Sequence, residues 1–220
     1  SSLENGASNI EVTSENTSFE VMPVNDGYDL SVDSATGVED TMVEIDVSGT
    51  GLVDTDGSEQ AISAILENLP NGYLVFTGDS SATATLASNL GDDGSGNNTW
   101  SIPLENGELP DFIGIQAPEN FSGTLSGLEL KVLSGEDELS QVEESTATFD
   151  LEVTGEADGI SALTPTLSFG DEGELVPLNL NATLEDIDGS ETVNISIIGA
   201  GEFAAFYDGS DNLLEAVYDE

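Results

Sequence analysis

Apolar and polar residues alternate through MVEIDVS (42–48), TATFDLEVT (146–154) and TVNISII (192–198). A period of two sends successive side chains to opposite faces of a strand, whereas a helix needs apolar residues three and four apart. Gly, Asn and Asp interrupt these runs repeatedly, and no helical period persists for long. The chain therefore predicts short strands and an all-β fold of antiparallel sandwiches. Asn71-Gly72 reads as a hairpin turn, Asn106-Gly107 as a second one, and GDDGSGNN (91–98) as a hairpin tip. Phe149, Leu151 and Val153 point inward in this reading, with Thr, Asp and Glu neighbours facing water, and Trp100 is a core anchor.

The pattern recurs along the chain. FEVMPVNDG (19–27) lies over LEVTGEADG (151–159), so Val21, Asp26 and Gly27 meet Val153, Asp158 and Gly159 at an offset of 132. DTDGSE (54–59) and DIDGSE (186–191) keep that offset, and SLENGASNIEV lies over residues 134–144. Between these anchors Val43, Ile45 and Val47 match Val176, Leu178 and Leu180 at an offset of 133, which leaves the second copy one residue short in the following loop. A period this long suits a whole domain in a tandem array and not a solenoid repeat. The chain reads as residues 1–25, the C-terminal strands of a preceding module; 26–157, a complete module; and 158–220, the N-terminal part of a following one that is truncated, split, or completed by another chain.

Charge changes the picture. Among 220 residues, 45 Asp and Glu face one basic residue, Lys131, and no His, for a formal net charge of −44. Such a chain repels itself, yet 37% hydrophobic residues can still build a core, so disorder is not implied. Nucleic acid and anionic membrane surfaces are excluded as partners because both are held by Lys and Arg. There is no apolar run of membrane-spanning length and no signal peptide at the start. Without Cys, neither disulfides nor thiolate metal sites can form.

Clustered carboxylates need cations, and calcium suits an all-oxygen ligand set. In the two acidic turns, Asp54, Asp56 and Glu59, and again Asp186, Asp188 and Glu191, place carboxylates around a Gly-assisted bend. The EF-hand pattern fails, because Glu59 and Ile65 stand where it needs Gly and Glu, as do Glu191 and Ile197. Further ligands must come from other loops, and Glu39, Glu172, Asp26 and Asp158 are the candidates. The rival reading of each turn is a tight bend rich in turn formers. Calcium at VNDG (24–27) and EADG (156–159) would stiffen the joints between modules.

The stretches GVEDTMVEIDVSG, VDTDGSEQAISAILENLPNGYLVF and APENFSGTLSGLELKV resemble the cadherin-like or Ig-like tandem repeats of giant bacterial RTX adhesins, and VMPVNDG resembles their linker. The resemblance covers most of residues 19–154 and returns in 168–198. It implies tandem antiparallel Ig-like or cadherin-like β-sandwich modules with calcium-binding loops, several Ca²⁺ ions, type I secretion, and an extracellular place on the bacterial surface. The family's acidic positions correspond to Asn25 and Asp26, Glu39 and Asp40, and Asp54, Asp56 and Glu59. At the second linker Ala157 replaces the Asn, and Gly173 stands opposite Asp40, so the two sites are expected to differ in affinity.

The partners expected are neighbouring modules of the same adhesin and, at a distance, a host or cell-surface peptide or glycan. An enzyme is not expected, since His and Cys are absent and the one Lys sits in a strand. The main reading is a calcium-stabilised extender for adhesion or biofilm formation. The alternative is part of a peptide- or sugar-binding module near the adhesin tip, with Phe203, Phe206, Tyr207 and Tyr218 as aromatic surface. A third reading is a salt-adapted domain with no specific ion.

Overall fold

The computed structural model describes residues 13–21, 24–54, 57–136, 141–163, 167–178, 180–186, 189–201 and 204–214. The chain divides into two compact units, Ser1–Glu156 and Ala157–Glu220. The regular elements among the described residues are all strands.

In the first unit two sheets face each other across one core, a β-sandwich-like arrangement. One sheet has the order β3 (Met42–Glu44), β10 (Phe112–Gln116), β6 (Leu74–Gly78), β7 (Thr85–Leu86). The other has the order β2 (Ala35–Val38), β12 (Gln141–Thr154), β11 (Gly123–Glu136), β5 (Glu59–Pro70), β9 (Asn97–Ile102), β8 (Ser88–Asp92). A separate antiparallel pair joins β1 (Tyr28–Val32) to β4 (Val47–Leu52). All pairings are antiparallel except β2 on β12, which is parallel. Val75 and Ile115 from the smaller sheet meet Leu66, Trp100, Leu130 and Leu151 from the larger in the core. Period-two alternation does this directly, since every second residue of β11 from Leu128 to Val132 is fully buried.

Three local expectations are corrected. MVEIDVS is not one strand: it breaks after Glu44 and resumes at Val47, because the chain leaves β10 there to pair with β1. Asn71-Gly72 is a turn, but it joins β5 to β6, which lie in opposite sheets, so it is a corner and not a hairpin. TVNISII forms no strand. Its counterparts in β5 are held between β11 and β9, and no such partners flank it among the described residues of the second unit. Asn106-Gly107 does close a minimal hairpin, with Glu105 and Glu108 exchanging both backbone bonds and both turn residues at positive φ. Strands β8 and β9 flank the GDDGSGNN tip.

The second unit contains β13 (Ile160–Leu163) paired antiparallel with β14 (Ala182–Leu184). It repeats details of the first. Ile160 stands opposite Leu184 as Tyr28 stands opposite Leu52. Gly159 O accepts from Glu185 N at 3.3 Å as Gly27 O accepts from Val53 N at 3.1 Å. Gly170 is packed so closely on Val176 that a Cβ would lie 2.3 Å from its Cγ2, and Gly37 meets Val43 at the same 2.3 Å. Residues 13–21, at the end of the segment read as a preceding module, form no strand and are exposed.

Candidate cation site

The residues expected to bind metal separate onto opposite ends of the larger sheet. At one end, Glu59 opens β5 and Glu136 closes β11, and the two are direct cross-strand partners. Both are buried, at 7% and 1% exposure. Side chains directly opposite in an antiparallel pair have Cβ atoms about 5 Å apart, and like charges there repel. Ser58 Oγ donates to Glu136 Oε1 at 3.2 Å, and Asp26 N donates to Glu59 Oε1. Glu59 Oε2 is buried with no hydrogen-bond partner.

Asn25 locks the entering chain to this end. Its Nδ2 donates to Ser134 O at 2.9 Å, while its Oδ1 accepts from Ser134 Oγ and Gly27 N, each at 3.0 Å. Gly27 has φ +87°, a conformation an L side chain rarely adopts. Asn25 is thus a structural clamp whose own amide groups are spent on the backbone and Ser134, while Asp26 is exposed and Asp54 half-buried beside the turn. Asp56 lies outside the described residues.

The second unit rebuilds part of this end. Asp158 N donates to Glu191 Oε1, matching the Asp26 to Glu59 bond residue for residue, and Glu191 Oε2 is again buried without a hydrogen-bond partner. Asp186 is 1% exposed and accepts from Ser190 Oγ at 2.9 Å. Asp188 lies outside the described residues. Among the described residues no three carboxylates converge as a metal-binding group.

Glu39 and Asp40 lie at the other end of the sheet. Glu39 is 3% exposed; its Oε1 accepts from Glu156 N, and its own N–H donates to Thr154 O at 3.0 Å. Asp40, at φ +57°, accepts from Asn120 N at 2.9 Å and ties two loops together. Gly173, at φ +86°, occupies the matching turn of the second unit, so the exchange for Asp40 suits the backbone there. Glu172, the counterpart of Glu39, is exposed.

The sequence reading missed Glu136. The signal was available: continuing the inward alternation of Leu128, Leu130 and Val132 leads through Ser134 to Glu136, and a carboxylate on the inward face is the anomaly.

Other acidic loops are satisfied by their own turns. Asp92 Oδ1 accepts from Gly94 N and from Gly96 N, and its carboxyl is held below the usual range chiefly by the Gly94 N–H, then by the Asn71 side chain and Gly96 N–H. Asp208 is lowered likewise, first by the Asn212 side chain, then by the Asn212 and Ser210 N–H groups. Lys131 lies mid-sheet, 2.7 Å from Glu67, 3.1 Å from Glu129 and 3.9 Å from Glu144. The hydrogen bonds to Glu67 and then Glu129 raise its pKa, so this cation is committed far from the Glu59–Glu136 pair. A cleft of about 310 Å³ carries Asp29, Glu44, Asp46, Glu108 and Asp111 in its walls, and it disfavours anionic ligands. Of the aromatic surface proposed for ligands, Tyr207 is 46% exposed and Phe206 half-buried, while Phe203 and Tyr218 lie outside the described residues.

No protein-family model matches the chain, and no curated protein matches it significantly.

Proposed function

We propose that the chain is a calcium-stabilised extender segment of a bacterial RTX-type surface adhesin, made of Ig-like or cadherin-like modules and placed outside the cell after type I secretion. It acts by holding position and not by catalysis: its rigid modules carry ligand-binding domains away from the surface, in adhesion or biofilm formation. The parallel docking of the early strand β2 on the last strand β12, beside two facing antiparallel sheets, supports the Ig-like reading.

The observation that carries the calcium reading is the opposed buried pair Glu59 and Glu136. Two facing carboxylates out of water repel strongly, and the one basic side chain is occupied elsewhere. A divalent cation from solution offsets that repulsion, and the donor set is all oxygen, as calcium prefers. Glu59 and Glu136 would hold it, with Asp54 and Asp56 of the adjoining turn; Glu191, Asp186 and Asp188 would hold its counterpart in the second unit. Bound calcium supplies the positive charge that closes the entry of each module.

Calcium titration by calorimetry tests this. The wild-type chain is expected to bind in the range of extracellular modules, about 0.1–1 mM or tighter. Glu59→Gln and Glu136→Gln are each expected to weaken one class of site about tenfold, or about 1.4 kcal/mol, leaving the class weakened by Glu191→Gln intact. Absence of binding, or equal binding by all variants, overturns the reading.

A further inference from the structure

The second unit presents apolar side chains that the first unit buries. Val176 and Leu178 are 36% and 49% exposed, while their counterparts Val43 and Ile45 are 4% and 3% exposed. The local scaffold is nevertheless in place, since the Gly170–Val176 contact, the Gly159–Glu185 bond and the Asp158–Glu191 bond all match the first unit. What is missing is the cover.

The first unit identifies what part of that cover is. The end of β12 runs parallel to β2, with Leu151 opposite Ala35 and Val153 opposite Gly37, and Leu151 and Val153 are buried at 0% and 3%. Glu39 is buried there because Glu156 N donates to its carboxylate. The chain carries a second version of this strand: residues 13–21 repeat 145–153 at the offset of 132, putting Phe19 at the position of Leu151 and Val21 at that of Val153. These two are 87% and 78% exposed, and their segment is in no strand. An unused strand and an unused seat therefore occur on one chain.

We propose that residues 13–21 of one copy add as a parallel strand along residues 168–171 in the second unit of another copy. Phe19 and Val21 then cover Val176 and Leu178, and the Val24 N–H donates to Glu172 as Glu156 donates to Glu39. Strand addition of this kind draws affinity from main-chain bonds and specificity from alternate side chains. The contact is head-to-tail, so it propagates into open chains of molecules. It also accounts for the exposure of Glu172: its seat is the one the incoming strand fills.

Sedimentation equilibrium in molar sodium chloride, where the screening length falls to about 3 Å, tests this without the opposition of net charge. The wild-type mass is expected to rise above 22.8 kDa with concentration. A donor variant, Phe19→Asp with Val21→Asp, and an acceptor variant, Val176→Asp with Leu178→Asp, are each expected to stay monomeric alone and to form a dimer when mixed. Excess synthetic peptide of residues 13–24 is expected to dissociate the wild-type assembly, a measurement that needs no folded variant. A monomeric wild type, variants that associate as it does, or a peptide without effect would overturn the proposal.

Discussion

Tyr73 shows how a single atom is priced in this core. The residue is 3% exposed, its ring meets Phe121 edge-on at 5.5 Å, and its hydroxyl is buried without a hydrogen-bond partner. An unsatisfied buried hydroxyl costs about 1–3 kcal/mol, so Tyr73→Phe is expected to stabilise the first unit by about 1 kcal/mol in thermal or urea unfolding. Burial also raises the Tyr73 pKa from 10.0 to about 12. The folded state keeps the proton where the unfolded chain loses it, so this contribution is complete below pH 10 and is lost as pH rises from 10 toward 12. Tyr73→Phe is expected to flatten the stability profile in that window, and an unchanged slope would contradict the assignment. At this scale the sequence was legible where alternation was simple: Trp100 is buried as expected. Glu136 was missed because its parity, and not its residue type, gives it away.

Between elements, glycine sets the approach of β2 to β3. A methyl group on Gly37 would lie 2.3 Å from Val43 Cγ2, far inside contact distance. Gly37→Ala is therefore expected to cost about 1–3 kcal/mol of first-unit stability, read from Trp100 fluorescence during urea unfolding. Substitution with no effect would mean that the two strands do not meet this closely. The alternating runs announced strands, but not which sheet each would join. MVEIDVS crosses from one sheet to another within one run, and Asn71-Gly72 turns a corner, because pairing partners are chosen by distant strands. TVNISII has the alternation of a strand and no neighbours among the described residues to make it one. Period two is a property of the segment; strand formation is a property of the sheet.

For the molecule as a whole, the account rests on how a chain of net charge −44 closes two acidic module entries. The repeat was legible as a spacing of 132, and matching hydrogen bonds, Asp26 to Glu59 and Asp158 to Glu191, now lie at that spacing. The split of the candidate residues between two ends of the sheet was not legible, since it depends on strand direction. Glu39 and Asp40 hold backbone N–H groups at one end, while Glu59 and Glu136 face each other at the other. The most direct test is the melting temperature after chelation, then with millimolar calcium, with magnesium, and with sodium at matched ionic strength. The account predicts a rise specific to calcium, of the size that binding to the folded state alone confers, about 2.7 kcal/mol at a hundred times the dissociation constant. An equal rise with sodium or magnesium would contradict it, and would leave the acidic turns as ordinary bends on a salt-adapted surface.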